Sequence, residues 1–168
     1  TEIYLIENKP QQALKALLAT RLDKEETIDA NIRNDRTMLK AKAYAQIGNT
    51  NTAITLLDEN PSEKATLLKA EILWNAREWE KAANILQSII PVNIKDLSEI
   101  DAETILNTAI AYRFSNNINA LETLRDKYLT AMNKTTKAAA FQVITRAESE
   151  ISLSDRETAK SIAEEATI

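Results

Sequence analysis

The chain has 168 residues, a formal charge of −4 and an isoelectric point near 5.1, with Lys and Arg interspersed among Asp and Glu. That balance excludes a concentrated basic footprint for nucleic acid and a polybasic membrane anchor, and no apolar run reaches the ~20 residues a bilayer demands. Cys and His are both absent, which removes thiolate nucleophiles, imidazole bases and zinc sites of the Cys/His kind.

One Gly and three Pro leave few sites for tight hairpin turns, while Ala, Leu, Lys, Glu and Gln favour helix. The chain therefore reads as all-α. Thr1-Glu2-Ile3-Tyr4-Leu5 carries apolar residues without an initiator Met, as if a helix had been cut from a longer protein. Residues 2–8 read as a helix end, and Pro10 opens the next helix because its missing N–H would be unpaired there anyway. Ala13, Leu14, Leu17 and Leu18 form its apolar stripe. Asp23 with Glu26 resembles a capping box, opening a helix near residue 24. Ile28, Ile32, Leu39, Ala43 and Ile47 keep one face apolar up to Gly48, where a left-handed residue ends the helix. Asn49 or Thr50 caps the partner helix.

Asn60-Pro61-Ser62 is a compact turn, and a second pair of helices runs from about residue 63 to 76 and from 78 to 89. Arg77 stands at its bend, at a cost of roughly 1–2 kcal/mol if left-handed. Pro91-Val92-Asn93 begins the longest linker. A third pair spans Ser98 to Phe114 and Ile118 to Ala131, with Asn116-Asn117 at the bend. Asn133 caps a helix that turns Phe141, Ile144, Ala147 and Ile151 inward, and Ser154 with Glu157 opens a last Ala-rich helix. About nine or ten helices and no strand follow from this reading.

The pattern Ala41, Tyr44, Gly48, Ala53, Leu57 returns as Ala70, Leu73, Arg77, Ala82, Leu86, always 29 positions later. A fixed period of ~20–50 residues marks stacked supersecondary units. These two copies resemble tetratricopeptide repeats, with a small residue and a large one in the first helix, a glycine at the bend, and Ala followed by a large apolar residue in the second. The resemblance implies an α-solenoid of antiparallel helix pairs wound into a right-handed superhelix. Residues 1–168 then form one repeat domain, a fragment of a longer protein. Residues 1–22 are a truncated first repeat, 24–60 and 62–90 full repeats, 98–131 a degenerate repeat, and 133–168 capping helices.

The resemblance further implies a concave groove lined by the first helix of each pair. By register its positions are Asp35, Met38, Lys42, Ala45 and Gln46, then Lys64, Leu67, Glu71, Trp74 and Asn75, then Glu103, Leu106, Ile110, Arg113 and Phe114. The chain departs from the two-Lys, two-Asn, one-Arg clamp for a C-terminal carboxylate, having Met38, Lys42, Leu68, Glu103 and Asn107 at the corresponding places. The functional expectation is a non-catalytic scaffold that binds a peptide or partner protein, with contact centred on Trp74 and polar contacts from Lys42, Gln46, Asn75 and Arg113. The competing expectation is an architectural spacer without a groove ligand. No cofactor, metal, nucleic acid or direct membrane insertion is expected, and self-association is open to the cut N-terminal edge.

The same residues have plainer readings. Trp74 either anchors a ligand or packs between helices; Trp79 belongs to the core, and Phe114 either to the groove or to the core between repeats. Lys42 and Glu71, at matching repeat positions, either steer a charged peptide or pair with each other. The acidic runs Asp23–Glu26 and Glu164-Glu165 lack the alternating oxygen ligands and Gly of a calcium loop. Thr66 and Lys69 share ordinary helical spacing, and Asn133-Lys134-Thr135 is a glycosylation sequon by letters.

Overall fold

The computed structural model describes residues 1–20, 29–60, 62–91, 97–146 and 153–166, apart from the side chains of 153–156. Ten helices run through it: α1 (Glu2–Ile6), α2 (Pro10–Ala19), α3 (Ala30–Gln46), α4 (Thr50–Asp58), α5 (Glu63–Asn75), α6 (Trp79–Ile89), α7 (Glu99–Phe114), α8 (Ile118–Met132), α9 (Ala138–Thr145) and α10 (Leu153–Glu165). Among the described residues there is no strand. Each helix packs mainly on its neighbours in sequence, as a helical repeat requires. The chain divides into two compact units, 1–76 and 77–168, so the division falls at the bend between the two helices of the second 29-residue copy.

The bends share one backbone solution. Asn8, Gly48, Arg77 and Asn116 all have positive φ, at 53°, 87°, 60° and 55°. At three of them the residue after the bend donates its N–H to a tyrosine carbonyl five positions back: Lys9 to Tyr4 at 2.7 Å, Asn49 to Tyr44 at 2.9 Å and Asn117 to Tyr112 at 3.0 Å. The bend residue itself donates to Leu5, Ala45 and Arg113 respectively. This double bond pattern closes a helix C-terminus around a left-handed residue. The next position is already an N-cap. Asn49 accepts from the Thr52 N–H and Asn117 from the Ala120 N–H, while Pro10 supplies the first-turn proline at α2.

This geometry exposes a copy that the 29-residue offset does not reach. Tyr4, Asn8, Ala13 and Leu17 match Tyr44, Gly48, Ala53 and Leu57 at a constant offset of 40, and α1 packs on α2. The slot residues Ala13, Leu17, Ala53, Leu57, Ala82 and Leu86 are all buried. In the degenerate copy Leu121 and Leu124 are buried while Ala120 is only half-buried.

In the first unit α3 is clasped from two sides. Ala43 joins Leu5 and Ala13 in one apolar cluster, and Ala41 joins Ala53, Leu57, Ala65, Leu68 and Ile72 in another. Two small residues two positions apart point to different faces of a helix, which lets neighbours approach closely on both. Arg36 of α3 donates to the Leu17 carbonyl at 2.7 Å and to the Thr20 hydroxyl at 3.0 Å, satisfying the last turn of α2.

In the second unit α7 is the central element, with α6, α8 and α9 against it. Residues 105–112 are buried without interruption, as a helix surrounded by others demands. Its start is fixed by a reciprocal capping box: the Asp101 N–H donates to Ser98 Oγ at 3.1 Å, and the Ser98 N–H to the Asp101 carboxylate at 3.1 Å.

Two local expectations change. Asn133 is the C-cap of α8, not an N-cap; its Oδ1 accepts from Gln142 at 2.6 Å, and α9 begins only at Ala138. Leu18 is 69% exposed, because the α2 stripe needs only Ala13, Leu14 and Leu17 to meet α1 and α3. The Asp23–Glu26 box, the turn proline Pro61, the linker core 92–96, Ala147 and Ile151 lie outside the described residues.

Candidate functional site

The C-terminal halves of α3 and α5, with the end of α1, surround a concavity of about 510 Å³ within the first unit. Its floor is made by the buried side chains of Leu5, Leu68 and Ile72, with Ala45 beside them. Lys42 and Gln46 stand on α3 and Glu71 and Asn75 on α5, all lining the same space. An apolar floor under a small number of polar groups is the composition of a recognition site.

Helical spacing explains the arrangement. Lys42 and Gln46 are one turn apart, as are Glu71 and Asn75, so each pair shares a helix face. Both pairs are also separated by the repeat offset of 29, so successive copies place a charged residue at the first position and an amide at the second. Gln46 Nε2 donates to the Leu5 carbonyl at 3.0 Å and thereby ties α1 to α3. Lys42 and Glu71 do not form an ion pair. By contrast, Lys69 on α5 is paired with Asp58 on α4 at 2.6 Å.

Of the residues singled out from the sequence, the concavity therefore brings together Lys42, Gln46 and Asn75. It does not include Trp74. That indole is only 8% exposed, and such a side chain offers a partner little surface. Trp79 is half-buried and stacks on Phe114 with ring centroids 4.8 Å apart and planes tilted by 31°; Phe114 itself remains 47% exposed.

Arg113 belongs to the second unit and is engaged there. Its guanidinium donates to the Ile144 carbonyl from Nε at 2.9 Å and from Nη2 at 2.7 Å, and also to the Arg146 carbonyl. Arg125 of α8 adds a bond to the Thr145 carbonyl at 3.1 Å. The chain leaves α9 in an extended conformation at Arg146, and two arginines satisfy carbonyls at this helix end. Beside them Ile110, Phe114, Ile144 and the α10 residues Ala159 and Ala163 line a smaller cavity of about 180 Å³.

Tyr112 has a clearly perturbed titration. Burial, followed by the nearby Glu80 carboxylate, raises its pKa above the ordinary 10.0. Its hydroxyl lies 3.2 Å from Asn84 Oδ1 and bonds Gln87 Oε1, tying α7 to α6. The Glu80 carboxylate also accepts from Asn117 Nδ2 at 3.1 Å. This cluster holds helices together and lines neither cavity.

The groove positions expected from register miss the floor residues Leu68 and Ile72, the end residues Gly48, Thr50 and Ala76, and Leu5 and Ile6 of α1. Subtracting the offset of 40 from Ala45 and Gln46 lands on Leu5 and Ile6, so the same register rule, carried one copy further toward the N-terminus, identifies both. Among the described residues no cluster of three or more acidic, His or Cys groups suits a metal ion, and no helix is long and apolar enough to cross a membrane. Comparison with known proteins finds no matching family, no similar curated protein and no similar solved structure.

Proposed function

We propose that this chain is a non-catalytic interaction module of tetratricopeptide-like helical repeats, and that it holds a peptide or a segment of a partner protein in the concavity of residues 1–76. The observation that carries the reading is the convergence of Lys42, Gln46, Glu71 and Asn75 over the apolar floor of Leu68 and Ile72. A buried apolar centre with polar groups around it is how protein interfaces are built. The contact is centred on that floor; Arg113 belongs to the other unit, where its guanidinium serves the end of α9.

The spacer reading draws on two specific features, the burial of Trp74 and the engagement of Arg113, which take away two of the five residues first assigned to the partner. Peptide selection from a displayed random library against the intact chain separates the two readings. A binding module yields peptides whose affinity falls by at least about tenfold in the Asn75→Trp variant, where an indole obstructs the concavity, and is kept in Arg113→Lys. A spacer yields none that respond to Asn75→Trp.

A further inference from the structure

The two ionic groups of the concavity give it a polarity. Lys42 is exposed and Glu71 half-buried, both line the same space, and among the described residues neither makes a hydrogen bond or an ion pair. The Glu71 carboxylate is left able to accept from a basic group, and the Lys42 ammonium, lining the same space, to donate to an acidic one. Both amides beside these charges can bond a peptide group. Gln46 gives one Nε2 hydrogen to the Leu5 carbonyl and keeps the other together with its carbonyl oxygen, and the exposed Asn75 likewise offers donor and acceptor. A peptide group presents one N–H and one C=O, which such amides can meet.

We infer that the ligand is a polypeptide segment of fixed charge order, with an apolar side chain entering over Leu68 and Ile72, an acidic side chain meeting Lys42 and a basic side chain meeting Glu71. The inference rests on the concavity being the binding site. Charge complementarity selects this occupant. A segment of uniform sign meets repulsion from either Lys42 or Glu71, and an uncharged one leaves the Glu71 carboxylate without a partner. The charges set the direction in which the segment lies, and the apolar floor provides most of the contact.

Pairs of synthetic peptides with blocked ends test this. Each pair has one composition, with a basic, an apolar and an acidic residue separated by glycine spacers of graded length, written in the two opposite orders. At low salt one order binds the intact chain at least about tenfold more tightly than the other, and the difference shrinks as salt screens the charges. In the double variant Lys42→Glu with Glu71→Lys, checked for unchanged helical content by circular dichroism, the preference inverts. Equal affinity for both orders, a preference that survives the double swap, or no binding of any pair each overturns the inference. The underlying reading fails separately: if binding is indifferent to order but lost in Asn75→Trp, the concavity is still the site and only the charge order is wrong. If binding persists in Asn75→Trp, the site itself is misplaced.

Discussion

Lys42 and Arg113 are both cations in the C-terminal half of a long helix, α3 in the first unit and α7 in the second, yet their surroundings differ in kind. Lys42 faces a concavity with an apolar floor and no counter-ion in contact. Arg113 reaches the end of α9 and satisfies two of its carbonyls. The difference follows from how the neighbouring helix ends. Helices α1, α3 and α7 close with a left-handed residue whose N–H, with that of the next residue, serves their last-turn carbonyls. Helix α9 leaves in an extended conformation, and an arginine from α7 makes up the deficit. A cation's role in such a fold is decided by whether a helix end nearby lacks donors.

Removing each cation tests that contrast most severely. Arg113→Ala strands buried carbonyls that had charged donors, and the loss is roughly 2–4 kcal/mol by urea denaturation. Lys42→Ala changes stability by no more than about 0.5 kcal/mol. Equal effects of the two substitutions dissolve the distinction between a structural and an available cation.

The small positions sharpen the comparison at the level of packing. Ala53→Leu in the first unit and Ala82→Leu in the second both overpack a fully buried site and cost roughly 1–3 kcal/mol. Neutral behaviour at both sites shows that the repeat register is wrong, because the register is what assigns these alanines to close helix approach.

Tyr112 distinguishes the units by pH. Its raised pKa means that the native state keeps the phenol proton more tightly than the unfolded chain does. The associated stability is complete below the ordinary value of 10.0 and is lost as pH rises beyond it toward the folded value. A spectroscopic signal from the Trp79 region weakens in alkali accordingly, and Tyr112→Phe removes that added sensitivity. An unchanged alkaline transition in Tyr112→Phe assigns it to other groups.

The bends predict the smallest changes. No atom lies within 4 Å of the place a Gly48 Cβ would occupy, so Gly48→Ala is strained through its φ of 87° alone and costs about 1 kcal/mol. Arg77→Gly relieves the same strain at φ 60° and raises the melting midpoint by an amount worth about 0.5–1 kcal/mol, the greater freedom of Gly in the unfolded chain cancelling part of the gain. A destabilised Arg77→Gly chain assigns the arginine side chain a contact that outweighs the backbone strain.

Helix positions were legible because helical periodicity, prolines and bend residues agree locally. The Ser98–Phe114 and Ile118–Ala131 spans match α7 and α8 to within a residue at each end. Helix ends that depend on distant groups were not legible. Nothing near Thr145 announces that Arg113 and Arg125 close α9, and Asn133 carries the letter of an N-cap while ending α8. Half of the candidate site was visible for the same reason. Lys42, Gln46 and Asn75 follow from repeat register, while Leu5 and Ile6 needed the second offset of 40 and Trp74 needed burial, which no local pattern specifies.

The central claim is that residues 1–76 hold the partner site and that Arg113 does not take part. Nitrogen-15 NMR of the intact chain, titrated with a peptide selected against it, tests this most directly. The account predicts amide shift changes centred on Lys42, Gln46, Glu71 and Asn75, with the signals of Ile110, Arg113 and Phe114 in place at saturation. Changes centred on Ile110, Arg113 and Phe114, with the α3 and α5 signals unmoved, contradict it.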